Sequence, residues 1–480
     1  MRLLTSLETP EGPHMVDDWY EIFKRVWAVI GPLVGGKDAP TGFWGHLRVQ
    51  VGTLWHLLEP VWAGTVEDAM SFEDRCRHAG VLFAGIAFTI GAWRCDKRVV
   101  PERCGNCSSR LKMRWLVRSF KTTCGMVPVF RREVRCRCGH LGRHFPADLA
   151  LGFARDARVS PGLRYWACKW GSTMAYTHAE ESLTSWTGQP VLGAQGIHEQ
   201  CQIVGRALPE APLVGPATTP GHMPGRIVLD ADAAVVGMHH TAKKAKGAVE
   251  RFELWSGRVY ESFDSECGGK IRFYRHLAFG GGCMRAGDDV ALVFFALANQ
   301  RFPHAIPERT VYVRGDGGAL LDTLAGLFPK SRRLLDLYHT LVKVSERVAE
   351  AFPDLPRRRR HAIADGLAAL LRQGDGEDLV KECVELAQAH PASADALCRL
   401  AKHIDRHKDH LWYPEARAMG LGVGTGIAEK DVDLLLDRRF ELRGMSWTPT
   451  GARNALRIRL TLFNDTLPML EQACRHRQAP

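Results

Sequence analysis

Hydrophobic positions recur at helical spacing through the first part of the chain. Trp19, Ile22, Phe23, Val26 and Trp27 mark one such face, and residues 15 to about 95 are expected to be helical. From about 100 to 150 the pattern becomes short, Cys-rich and β-like, with Val127, Val129 and Phe130 ahead of a cysteine pair. Residues 160–207 read as helices again. Leu208 to Pro224 is rich in Pro, Gly and Thr and reads as a linker. Beyond it come strand-like apolar runs, the first ending in acids. Strands are expected at Arg226–Asp232, Arg251–Tyr260, Lys270–Leu277, Thr310–Val313 and Arg333–Leu337, with helices at Asp288–Asn299 and Leu320–Phe328. Three strands, a helix, then strand, helix and strand describe a mixed α/β sheet. Residues 340 to about 410 are helical in pattern and interrupt that unit.

A chain of 480 residues exceeds one ordinary core, so several structural units are expected. Apolar content of 45% and charged content of 24% fit a soluble globular protein. The formal net charge of +11, with basic runs such as Arg357 to Arg360, favours a polyanionic partner. The apolar run Val81–Trp93 falls short of the about 20 residues a membrane span needs and reads as a buried helix. No secretory signal is read at the start. The fourteen cysteines are scattered apart from one cluster, which argues against a disulfide framework and for a reducing cytoplasm.

Candidate chemistry lies in three places. Cys104-x-x-Cys107 and Cys136-x-Cys138 form two close pairs around a β-rich stretch, as a tetrahedral zinc site requires, with His140 or Cys124 as alternative ligands. Residues Arg110 to Arg135 between the pairs carry eight Arg or Lys, so Arg131 and Arg132 are expected to grip phosphate. Thr177–Trp186, a Thr187-to-Pro190 turn and Gly193–Ala207 fit either a helix-turn-helix or an ordinary helical hairpin. In the former, Gln195, His198, Glu199 and Gln202 would face the bases.

The third place is acidic. Asp230 and Asp232 share one face of a strand, Asp316 sits in a glycine turn after another, and Glu429 opens a helix running to Arg443. Carboxylates converging from such elements supply the hard oxygen ligands that magnesium takes.

These residues resemble the DDE transposases of bacterial insertion sequences, in the ISKra-type and ISLre-type branch, over about residues 100 to 465. The likeness is carried by Cys104-Gly-Asn-Cys107, Gly125 to Arg131, Cys136-Arg-Cys138-Gly139 and Phe145 to Asp148. It continues in Leu229-Asp-Ala-Asp232, in Gly315-Asp316-Gly-Gly with Phe328-Pro329 and Asp336-Leu-Tyr-His339, and in Gly424-Thr-Gly-Ile-Ala-Glu429 with Arg438-Arg439, Gly444 to Trp447 and Gly451. Departures are Ala233 where the family has Gly after the first acid, Gly-Thr-Gly for Gly-Ser-Gly, and C-x-C for the second cysteine pair.

The resemblance implies an α/β multidomain protein. A ribonuclease-H-like catalytic core with a helical insertion would follow helical, zinc-ribbon and helix-turn-helix-like segments. The expected boundaries are 1–98 helical, 99–150 zinc ribbon, 151–210 helix-turn-helix, 211–224 linker, 225–340 core, 341–412 insertion and 413–480 core completion. It implies catalytic Asp232, Asp316 and Glu429 on two Mg2+ (or Mn2+), supported by Asp230, Asp336 and His339, and one structural Zn2+. It further implies an enzyme that cleaves DNA at the element's ends and joins the freed 3′-hydroxyl to target DNA. Lys243 and Lys244 would help offset phosphate charge. DNA is the expected partner, with homo-oligomers forming on it, no membrane, and a nucleoid-associated cytoplasmic location. The alternatives are a silent transposase-derived DNA-binding regulator and a metal-dependent nuclease that cuts without joining.

Overall fold

The computed structural model describes residues 42–217, 225–238, 250–264 and 272–475, apart from 63, 67, 141–143, 154–157 and 443–444. The chain divides into two compact units, residues 1–167 with 176–200 and 474–480, and residues 168–175 with 201–473. Each is described separately. The expected helix-turn-helix region is therefore not a body of its own, since its second helix crosses from one unit into the other.

The first unit is built on helices α1 (Phe43–Trp62) and α2 (Ala69–Val99) and an antiparallel hairpin of β1 (Lys112–Thr122) and β2 (Gly125–Arg135). Asp68 caps α2 by accepting from the Ser71 N–H at 2.7 Å. Among the described residues α2 is the one helix long and apolar enough to cross a membrane. Its Ile86 and Trp93 pack with Phe43, Leu47 and Phe130, and its Ala92 with Phe120, Val129 and Phe153. The helix covers the hairpin with one face only: within Val81–Trp93, Ile86, Thr89, Ala92 and Trp93 are buried, whereas Phe83 is exposed. Short α3 (Pro146–Ala150), the start of α4 (Pro161–Thr173), α5 (Tyr176–Thr187) and the start of α6 (Ala194–Ala207) complete the unit.

The second unit centres on a five-stranded mixed sheet in the order β5-β4-β3-β6-β7. The strands are β3 (Arg226–Gly237), β4 (Arg251–Asp264), β5 (Arg272–Gly282), β6 (Val311–Gly315) and β7 (Ser331–Leu335). β3, β4 and β5 form an antiparallel meander, whereas β6 and β7 run parallel to β3. Helices α7 (Val290–Arg301) and α8 (Ala319–Leu327) provide the two crossovers these parallel strands require.

Alternation along β3 sorts its side chains to the two faces. Ile227, Leu229 and Ala231 enter one core with Phe294, Leu297, Leu321 and Leu324 of α7 and α8. Val228 enters the other, with Leu334 and the helices that follow β7. Those helices are α9 (Leu337–Ala351), α10 (Arg357–Gln373), α11 (Gly376–Ala389), α12 (Ala394–His407) and α13 (Tyr413–Ala418), the expected insertion. Asp230 and Asp232 have the parity of Val228 and so lie on the insertion side. The chain then forms α14 (Gly426–Val432), a π turn at Asp433–Asp437, α15 (Arg438–Phe440), α16 (Pro449–Phe463) and α17 (Leu467–Arg475).

Candidate functional sites

The cysteine cluster follows from hairpin geometry. β1 and β2 have equal length and pair Lys112 with Arg135, so the residues before one and after the other meet at the same end. The Cys104 N–H donates to the Ser109 carbonyl at 2.9 Å and the Ser108 N–H to the Cys104 carbonyl at 2.9 Å, folding the first pair into a tight knuckle. Cys107 Sγ lies 3.3 Å from Cys136 Sγ, Cys104 Sγ 3.8 Å from Cys138 Sγ, and all four sulfurs lie within 4.8 Å of one another. The thiols share protons: hydrogen bonds from Ser109 and the neighbouring thiols pull Cys107 down, while those with Cys138 and Cys107 push Cys136 up. Four sulfurs at this spacing form a cluster able to hold a metal ion. Cys124 lies in the β1–β2 turn, at the opposite end of the hairpin, and is not part of it.

Asp232 lies midway along β3 just past the end of β6, Asp316 follows β6, and Glu429 lies on a helix packed against β3. Asp230 is fully buried and receives Arg314 Nε and Nη2 at 2.7 Å each and the Tyr260 hydroxyl at 2.9 Å. Arg314 also donates to the Gly422 carbonyl at 2.6 Å, tying β6 to the loop before Glu429. Asp230 is thus committed to an ion pair, and Asp232 is the acid of β3 that looks towards the others. Burial raises the Asp232 carboxyl above its ordinary value, and the charges of Asp316 and Glu429 raise it further while His339 opposes them. Asp316 occupies the turn after β6, where Gly317 adopts φ +99° and the Gly318 N–H donates to its Oδ1 at 3.3 Å. The oxygens of the three acids do not all fall within the 4.8 Å that unites the cysteines.

Asp336 explains the spacing of the Asp-x-x-His element. It caps α9 by accepting from the His339 N–H at 2.9 Å, and its second oxygen accepts from both the N–H and the hydroxyl of Thr425. The Leu337 N–H donates to the Val423 carbonyl at 3.0 Å in the same seam. This buried carboxylate thereby fastens the start of α9 to the glycine-rich approach to Glu429. His339 lies between acids, Nδ1 3.6 Å from Asp336 and Nε2 3.8 Å from Glu429.

The Glu429 helix is held from below. Asp431 forms a buried ion pair with Arg258 of β4, and buried Arg459 donates to the Leu435 carbonyl at 2.8 Å and to that of Leu434. The π turn frees such carbonyls from the helical ladder, and π turns are frequent at functional sites. Three contributors escaped the sequence reading. Burial and the charges of Glu441, Asp433 and Asp232 raise the carboxyl of Asp437. Lys343 Nζ approaches the Asp316 carbonyl at 3.5 Å, and His403 of α12 feels the charges of both Lys343 and Asp316. Lys343 and His403 had only membership of a helical insertion as a sequence signal, and Asp437 only its place on the helix that Glu429 opens.

The expected DNA-contacting residues are dispersed. Arg131 is 4% exposed and paired with Asp148, and its guanidinium lies 3.9 Å from the Phe145 ring centroid. Arg132 donates to Asp96 Oδ2 through Nε at 2.7 Å and to the Asp96 carbonyl at 2.9 Å. Both are internal ties, which corrects the expectation that they grip phosphate. Gln195 is exposed, with Nε2 3.2 Å from Glu199, and His198 packs against the Tyr176 ring. Gln202 accepts from Asn454 at 2.8 Å and donates to the Gly451 carbonyl at 3.3 Å, so its amide serves α6–α16 packing. Lys243 and Lys244 lie outside the described residues. The sequence matches no protein-family model and no curated protein.

Proposed function

We propose that the chain is a DDE transposase, a polynucleotidyl transferase that cuts DNA at the ends of an insertion sequence and joins the freed 3′-hydroxyl to target DNA. The observation carrying this reading is the placement of three acids about one strand: Asp232 on β3, Asp316 in the turn after the parallel strand β6, and Glu429 on a distant helix packed against β3, with the Asp232 carboxyl raised by burial and then by the other two charges. A divalent cation relieves such repulsion, and oxygen donors are what magnesium takes. A sheet of three antiparallel strands continued by two parallel ones, with acids on β3, after β6 and on a helix packed against β3, supports a ribonuclease-H-like core.

Asp232, Asp316 and Glu429 would hold the ions, while Asp336 and His339 set the position of Glu429 relative to α9. A pair of magnesium ions there would supply the positive charge that activates the attacking oxygen and stabilises the leaving one. The cysteine cluster would hold one structural zinc, since tetrahedral bonds of about 2.3 Å place sulfurs about 3.8 Å apart. The test is incubation of the purified chain with DNA flanking its gene and magnesium. The reading expects nicking at the element ends and joined products, both lost in Asp232→Ala, Asp316→Ala and Glu429→Ala with end binding retained. Binding without cleavage in the unaltered protein would favour the silent regulator, and cleavage without joining a nuclease.

A further inference from the structure

Tyr338 stands at the rim of the acidic centre and takes no part in the scheme above. It is the first-turn neighbour of His339 on α9 and is 61% exposed. One turn on, Val342 is 55% exposed, which extends the apolar surface along the same stripe. One edge of the ring meets the chain. It rests on the backbone of Gly424, where a Cβ would collide with Cδ2 and Cε2, so only glycine there lets the aromatic lie against the approach to Glu429. On the neighbouring stripe of α9, Lys343 reaches the Asp316 carbonyl at 3.5 Å. An exposed aromatic on the Glu429 side of the acids and a cation on the Asp316 side are the two kinds of group that bind single-stranded nucleic acid, a base stacking on the ring and a phosphate meeting the charge.

We infer that Tyr338 is a stacking platform for an unpaired base next to the phosphate held at the acids, with Lys343 contacting that nucleotide's backbone. This rests on the nucleic-acid reading above and adds to it that the strand at the site is locally unpaired. Every base has a π face, so the platform is tolerant of sequence and selects single strand over duplex.

The test uses the full chain in calcium, with a mixed-sequence DNA oligonucleotide carrying 2-aminopurine, presented as a single strand and as a blunt duplex. Tyr338→Ala is expected to weaken single-strand binding about tenfold and to abolish the stacking-dependent quenching of 2-aminopurine, with duplex binding little changed. Tyr338→Phe should keep both, because the ring and not the hydroxyl does the stacking. Lys343→Gln should lower the salt dependence of binding while leaving the quenching in place. Single-strand affinity and quenching that survive Tyr338→Ala would overturn the platform alone, provided magnesium-dependent cleavage still requires Asp232. An unaltered protein that binds neither form of DNA would overturn the nucleic-acid reading and the platform with it.

Discussion

Two aspartates separated by one residue on β3 should respond to substitution in opposite ways. Asp230 is fully buried and accepts two hydrogen bonds of 2.7 Å from Arg314, itself 4% exposed. Asp230→Ala strands that guanidinium away from water, and breaking a buried pair on one side costs about 3–5 kcal/mol. Domains are typically stable by about 5–15 kcal/mol, so the loss takes a large share of what the second unit has. Asp232 is the reverse case. Its carboxyl is raised by burial and then by Asp316 and Glu429, so the ionised form costs folding free energy at neutral pH. That cost is present above the raised native value and is relieved as pH falls through it towards 3.8. Asp232→Asn should therefore leave stability equal or higher at pH 7, with the gain vanishing in acid. Urea unfolding at several pH values separates the two, read with magnesium-dependent nicking. In Asp230→Leu with Arg314→Met the stranded charge is gone and stability should largely recover, whereas nicking should recover less because the Arg314 tie to Gly422 is lost. Asp232→Asn should be stable and inactive. The reasoning fails if Asp230→Ala unfolds at the urea concentration of the unaltered chain, or if Asp232→Asn is the less stable of the two.

Three further outcomes follow from the structure. His407 is 3% exposed, and burial, then His403, Arg333 and His410, lower it to about 4. The native ring therefore stays neutral while the unfolded one protonates, so stability should fall by about 3 kcal/mol between pH 6.5 and 4. His407→Gln should flatten that slope in thermal melts, and an unchanged slope would remove His407 as its source. Metal analysis should find one zinc per chain, and Cys107→Ser or a strong chelator should lower the melting temperature of the first unit; full stability without zinc would exclude a structural role. Arg132→Ala leaves the buried Asp96 carboxylate without the donors it has from that side chain, so it should destabilise the first unit by about 3 kcal/mol or more. The salt dependence of DNA binding should stay unchanged, and a reduced slope with normal stability would return Arg132 to the phosphate-contacting set.

What the sequence made legible was whatever its local pattern determines. Short apolar runs located all five strands of the larger sheet, with β3, β4 and β5 running a few residues longer than expected. The paired cysteines were legible because a hairpin with equal arms brings its flanks together. Polar groups whose partners lie far away in the chain were not. Arg132 reads as a surface cation until Asp96, thirty-six residues earlier, is placed beside it. Gln202 reads as a recognition residue until Asn454 is. A charge count therefore overstates the surface open to a polyanion by every cation spent on a buried acid. The basic stretch between the cysteine pairs is the clearest instance. Arg131 is buried and Arg132 half-buried against Asp96, whereas Arg110, Lys112 and Arg137 stand exposed at the end where the four sulfurs meet. A metal bound there would fix the geometry of those three side chains, and a phosphate contact made by them would break no buried ion pair.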